Sequence, residues 1–136
     1  MVSPLLMPDA LTIYIAGPYS STDPDRVAQN VTRVIDTALR ILELGHYPFI
    51  PHLTHFVDLR AKQLGINLTW DDYITWDLQW LYRCDALLYL DSSKGADLEL
   101  TKAIEFGKRI FRSIDEIPIV QNPGRFSVTA AKAQSE

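Results

Sequence analysis

Apolar residues fall into short, nearly continuous blocks separated by longer stretches in which they return every three or four positions. Thr12-Ile13-Tyr14-Ile15-Ala16 is almost wholly apolar and ends at Gly17-Pro18. A strand covered by helices on both faces has this continuous pattern, whereas a half-exposed strand alternates. Asp23-Pro24 then supplies an N-cap followed by proline at the first helical position. Val27, Val31, Val34, Ile35, Ala38 and Leu42 follow on one stripe, which predicts an amphipathic helix, and Gly45 closes it as a left-handed cap.

Tyr47-Pro48-Phe49-Ile50-Pro51 predicts a second strand with prolines at or near its ends. A longer connection over residues 52–69 holds a short helical piece around residues 56–64, and connections of this length are usually functional or locally structured. Asp71 or Asp72 opens the next helix, with Ile74, Leu78 and Leu81 facing the core. Ala86-Leu87-Leu88-Tyr89-Leu90 predicts the third strand. Gly95-Ala96 leads into a helix with Ala96, Leu100, Ala103 and Ile104 on one stripe, closed by Gly107, and Arg109-Ile110-Phe111 predicts a fourth strand. Strand and helix alternate throughout, so the expected fold class is α/β, a parallel sheet with helices on both faces. Ligands of such sheets bind beyond the carboxyl ends of the strands, near the point where strand order reverses. Residues just after the first and third strands are therefore where chemistry is expected.

The 136 residues suit one domain with one core, expected over residues 11–117. Residues 1–10 read as an N-terminal extension, with no basic region and two prolines, and so as neither signal peptide nor anchor. Large apolar side chains thin out from Pro118, and residues 118–136 read as a tail, mobile or docked on a partner subunit. A formal charge of −4 argues against a nucleic-acid polymer as partner, because phosphate contacts need a basic face. No apolar stretch approaches the roughly 20 residues that span a bilayer, so no membrane partner is expected. The single cysteine, Cys84, cannot form an internal disulfide and fits a reducing, cytoplasmic setting.

Among the polar residues, Glu99 is expected in the first turn of the helix after the third strand. Free N–H groups and the helix dipole there favour a negative charge, so Glu99 is expected to stay ionised and suits a nucleophile. A first-turn glutamate that merely stabilises its own helix is the plainer alternative. Asp97 points to a different face and reads as a helix-terminal charge. Ser93 precedes Glu99 in a turn containing Gly95, and hydroxyl and backbone donors there can make a small anion or hydroxyl site. Asp77 shares a stripe with Tyr73, Ile74 and Leu81. An acid on the inner side of a helix needs partners, or burial raises its pKa and makes it a proton donor. Tyr73, Trp76 and Trp80 form a second stripe suited to core or subunit contact. His46, His52 and His55 lack metal-site spacing, leaving His52 as a residue that could line the pocket. Neither a Walker loop nor a three-glycine dinucleotide pattern is present, so no cofactor and no metal is expected.

Three ordered segments together resemble the nucleoside 2-deoxyribosyltransferase superfamily, which also includes 2′-deoxynucleoside 5′-phosphate N-hydrolases. They are Ile13-Tyr14-Ile15-Ala16-Gly17-Pro18, the stretch from Asp77-Leu78 through Cys84-Asp85-Ala86, and Ser93 through Gly95-Ala96-Asp97-Leu98-Glu99-Leu100. The resemblance spans roughly residues 12–112 and implies a flavodoxin-like three-layer sandwich with a four- or five-stranded parallel sheet. It implies Glu99 as the nucleophile that forms a covalent deoxyribosyl intermediate, Asp77 as the acid near the scissile bond, and Tyr14 beside the sugar. Gly17, Ser93 and Gly95 are the further substrate-binding residues. The implied partners are a deoxynucleoside or deoxynucleotide and a free nucleobase, with shared active sites in a dimer-based homo-oligomer. Ser93 matches the hydrolases, where a serine meets the 5′-phosphate, while transferases carry an acid there. Ser20 stands where the hydrolases have an arginine, a role open to Arg26 only if its loop folds back. Asn122, Ser113 and Ser127 are the candidates for a residue given to a neighbouring subunit's site. Base transfer between deoxynucleosides is the leading expectation, hydrolysis of a deoxynucleoside monophosphate the second, and a nucleotide-binding module without catalysis the third.

Overall fold

Four parallel strands, β1 (Thr12–Ala16), β2 (Tyr47–Phe49), β3 (Ala86–Tyr89) and β4 (Arg109–Phe111), form one sheet in the order β2-β1-β3-β4. The structure is a computed structural model and describes residues 9–120. Helices α1 (Pro24–Glu43), α2 (Thr54–Gln63), α3 (Trp70–Arg83) and α4 (Lys94–Glu105) connect the strands, with short 3-10 helices at Pro51–Leu53 and Ile114–Glu116. The architecture is a flavodoxin-like α/β sandwich, and strand order reverses between β1 and β3.

Alternation along β1 divides the core. Ile13 and Ile15 point to one face, where they pack with Val34, Ala38 and Ile41 of α1 and with Ala86, Leu88 and Phe111. Tyr14 and Ala16 point to the other, where Leu81, Leu87, Ala96 and Ala103 join them beneath α3 and α4. Burial on both faces is why β1 reads as an uninterrupted apolar run.

Asp23 caps α1 by accepting from the Asp25 N–H, with Pro24 at the first position, as the sequence predicts. Other boundaries differ for identifiable reasons. Helix α3 starts at Trp70 rather than at an aspartate, because Thr69 and Asp72 form a capping box. The Thr69 hydroxyl accepts from the Asp72 N–H at 3.2 Å, and the Asp72 carboxylate accepts from the Thr69 N–H at 2.8 Å. Strand β2 stops at Phe49 because Pro51 opens a 3-10 helix. Pro48 is tolerated since β2 is an edge strand. Ile104, expected on the buried stripe of α4, is exposed, and Ala103 takes the core position. Ser93 is the N-cap of α4, its hydroxyl accepting from the Ala96 N–H, so Glu99 sits in the second turn and not the first.

The end of the described chain docks on this same domain. Val120 N–H donates to the Leu44 carbonyl at 2.9 Å, and His46 bridges Leu11, just before β1, to this segment. His46 Nδ1 accepts from the Leu11 N–H, and its Nε2 donates to the Pro118 carbonyl at 2.6 Å. Ser113 caps the last 3-10 helix by accepting from Asp115. The rest of the expected tail, with Asn122 and Ser127, and residues 1–8 lie outside the described residues.

Gly45 has φ +94°, and a Cβ there would come within 2.2 Å of the Val120 carbonyl oxygen. Gly107 has φ +73°, with open space where a Cβ would go. Gly107→Ala should therefore cost only the left-handed backbone, about 1 kcal/mol. Gly45→Ala should cost about 2 kcal/mol or more, because it also displaces backbone. Urea midpoints measured at unchanged slope check the difference, and equal losses would refute it.

Candidate active site

The carboxyl ends of β1, β2 and β3 open into a cavity of about 630 Å³ at the strand-order reversal. Gly17 comes from the loop after β1, His52 from the 3-10 helix after β2, and Ser93, Gly95 and Glu99 from the start of α4. Asp77 reaches the same cavity from α3, two turns beyond the capping box. Of the six site residues predicted from sequence, Tyr14 alone is not on the wall. It is fully buried behind Glu99, and its hydroxyl donates to Glu99 Oε2.

Glu99 is 5 % exposed, and this burial pushes its pKa up to about 8. The Tyr14 hydrogen bond works the other way by favouring the carboxylate, and the nearby Asp77 charge adds to the rise. The expectation that the helix end keeps Glu99 ionised is therefore corrected. In the second turn its side chain lies past the free N–H groups, and desolvation outweighs the dipole. Tyr14 is itself pushed well above the ordinary phenol range, first by burial and then by the Glu99 charge, so it remains a proton donor.

Asp77 is half-buried and pushed up to about 7 by desolvation. Its Oδ1 has no hydrogen-bond partner. This is the unpartnered acid anticipated for the inner stripe of α3, and it retains a proton close to neutrality. Glu99 and Asp77 are electrostatically coupled, so they titrate as a pair.

Neither cavity glycine is demanded by crowding, since a Cβ at either position would make ordinary van der Waals contact. A Cβ on Gly17 would meet Leu90 at 3.4 Å, and one on Gly95 would lie 4.0 Å from Ile74 of the cavity wall. The Gly17 carbonyl accepts from His52 Nε2 at 2.9 Å, with Pro18 at 3.1 Å. His52 is buried, and desolvation holds its pKa below the ordinary imidazole value. It is thus a neutral ring with the proton on Nε2, fixing the loop after β1. Its Nδ1 has no partner. Asp97 faces away from Glu99 and accepts from Tyr89 and Ser92, bracing the turn before Ser93.

Sequence reasoning missed the outer wall: Tyr19, Asp58, Lys62, Trp70 and Lys94. Lys94 lies over the Trp70 ring at 4.2 Å, linking the starts of α3 and α4. The length of the connection over residues 52–69 was the available signal, and Tyr73, one turn before Asp77, was another. Among the described residues no group of three His, Cys, Asp or Glu side chains is arranged to hold a metal ion. No helix among them is long and apolar enough to cross a membrane.

The raised pKa of Glu99 has a stability consequence of definite sign. An acid with a folded-state pKa above its unfolded value of 4.5 supports the fold fully below that value. The support is lost as pH rises through the folded pKa near 8. Glu99→Gln removes this loss. Its melting temperature should exceed that of the parent by on the order of 5 °C at pH 8, with the gap closing near pH 4. Thermal unfolding across that range checks it; a gap independent of pH would contradict the burial cost.

No curated protein matches the chain. Residues 11–112 hold all four strands and all four helices, together with Tyr14, Asp77, Ser93 and Glu99. They match the family described as a domain of unknown function (DUF4406), and the chain belongs to that family.

Proposed function

We propose that the protein is an enzyme, a nucleoside 2-deoxyribosyltransferase that cleaves the N-glycosidic bond of a 2′-deoxyribonucleoside and passes the sugar to another nucleobase. The observation that carries this reading is Glu99. It is a buried carboxylate on the cavity wall, gripped from behind by the Tyr14 hydroxyl and coupled to Asp77. In the reactive arrangement the pair carries one proton, on Asp77, and one charge, on Glu99. With values of about 8 for Glu99 and about 7 for Asp77, the proton rests on Glu99 before the reaction. Positive charge developing on the sugar, with the Tyr14 hydrogen bond, draws the pair into this arrangement.

Glu99 attacks C1′ from the face opposite the base. The C1′–N bond breaks with its electron pair moving to the base, which takes the Asp77 proton, leaving a deoxyribosyl ester on Glu99. A second base then attacks C1′, the ester bond breaks, and Asp77 recovers a proton from the incoming base. Two displacements retain configuration. The aromatic rings of Tyr19 and Trp70 on the cavity wall supply flat apolar surface suited to a nucleobase.

A second reading, hydrolysis of a 2′-deoxynucleoside 5′-monophosphate, is favoured by Ser93 and the start of α4 on the cavity wall. The N–H groups of Lys94 and Gly95 and the Lys94 ammonium suit a phosphate. Dimer-based homo-oligomers are part of the proposal, supported by Trp76 and Trp80, 41 % and 46 % exposed on α3. A cytoplasmic setting is supported by the free, buried Cys84.

Glu99→Ala should reduce turnover of a deoxynucleoside by about three orders of magnitude or more while ligand is still bound. Mass spectrometry of the parent enzyme quenched during turnover should show one deoxyribosyl group on Glu99. A protein that only binds nucleotides would show neither turnover nor adduct. Incubation with an acceptor base should yield a new nucleoside. Equal base release with and without acceptor, and preference for the 5′-monophosphate, would give the hydrolase reading instead.

The pH profile of kcat/KM should be bell-shaped, with limbs near the pair's values of about 7 and about 8. Activity falls at low pH as the pair takes a second proton and at high pH as it loses its last. Asp77→Asn should lower the rate by about 10²–10⁴-fold. It should also move the Glu99 limb to lower pH, because the Asp77 charge raises the Glu99 pKa. An unmoved limb would argue against the coupled pair.

A further inference from the structure

One part of the cavity wall is held differently from the rest. Thr54, Asp58 and Lys62 of α2 line it, with Asn67 and Leu68 from the loop that follows. Yet Ala61 is the one buried residue of α2. Phe56, Val57 and Leu59 on the same helix are exposed, as are Leu64 and Ile66 just beyond it. A segment with so little apolar surface beneath it opens locally at low free energy. Its ends suit hinges. No side chain caps the start of α2, which runs directly out of the 3-10 helix, and Gly65 at the far end has φ +73° in open space.

Two side-chain hydrogen bonds tie this segment to other walls of the cavity. The Tyr73 hydroxyl on α3 donates to Asp58 Oδ1 at 2.7 Å, while Asp58 Oδ2 holds the Lys62 ammonium at 2.8 Å. The Tyr19 hydroxyl meets His55 Nδ1 at 3.1 Å. Lys62 and Tyr73 together hold the Asp58 carboxyl below its ordinary pKa. It therefore accepts from Tyr73 as an anion, the stronger kind of hydrogen bond.

We propose that residues 54–68 form a hinged cover over the cavity, with Tyr73 and Asp58 as its latch. Both are positioning residues that act through α2 and not on the reacting atoms. An open cover admits a nucleoside-sized ligand. A closed cover keeps bulk water from C1′ while the sugar is bonded to Glu99, so that the next nucleobase, not water, takes it. This last role rests on the transferase reading; the cover and its latch do not.

Hydrogen exchange of the full chain, read by mass spectrometry, tests the cover without ligand. Tyr73→Phe and Asp58→Asn should each speed exchange in residues 54–68 by about tenfold or more, leaving β1 and β3 at parent rates. Unchanged exchange in residues 54–68, or an increase spread equally through the sheet, overturns the latch. Saturating 2′-deoxyadenosine should slow exchange in the same segment of the parent protein. With that donor and cytosine as acceptor, Tyr73→Phe should release several-fold more free deoxyribose per molecule of 2′-deoxycytidine formed. An unchanged product ratio beside faster exchange removes the water-excluding role and leaves the cover. A parent protein that turns over no deoxynucleoside defeats the transferase reading, while the exchange rates still decide the latch.

Discussion

The site depends on one contact between a strand and a helix: the Tyr14 hydroxyl of β1 on the Glu99 carboxylate of α4. Glu99 would prefer water or a proton at that depth, and burial pushes it toward the proton. Tyr14 is the group that pulls it back toward the charged form. Neither side chain can move far, because Tyr14 sits at the centre of the sheet and stacks on Phe49 at 5.6 Å. Phe49 in turn stacks on Trp80 at 5.4 Å, so a row of rings runs from the carboxylate to the surface of α3. The strand fixes the phenol and the phenol fixes the acid, so tertiary structure sets both the place of the acid and its hold on a proton.

The sheet explains why these groups meet at all. Strands β1 and β3 are neighbours although α1, β2, α2 and α3 separate them in sequence. At their carboxyl ends the chain leaves in opposite directions, which opens the space that the cavity fills. Asp77 and Glu99 come from two helices packed on the same face, so their mutual influence is a property of the fold.

Much of this was legible along the chain because the signals are local. Ile13 to Ala16, Asp23-Pro24 and Gly45 each declare an element through burial or backbone chemistry readable within a few residues. The position of Glu99 in its helix was misjudged by a turn because Ser93, not a later residue, caps α4. The charge state of Glu99 could not be read, since it follows from how deeply β1 and α4 bury it. The resemblance pointed to Tyr14, Asp77 and Glu99, whereas Asp58, Lys62 and Trp70 carry no comparable local mark. They become cavity residues only when α2 and the start of α3 come together on the cavity wall. His46 likewise looks like a ligand in isolation, and two backbone groups distant in sequence reveal it as a clasp.

Helix α3 carries an inward acid and an outward indole at adjacent positions, Asp77 and Trp76. Successive residues of an α-helix are about 100° apart around its axis. Adding or deleting one residue between the Thr69 cap and Asp77 would turn the remainder of the helix by that angle and bring Trp76 or Leu78 toward the carboxylate. Length variation among relatives of this chain should therefore fall outside residues 69–77, since a gap there would swing the acid out of the cavity.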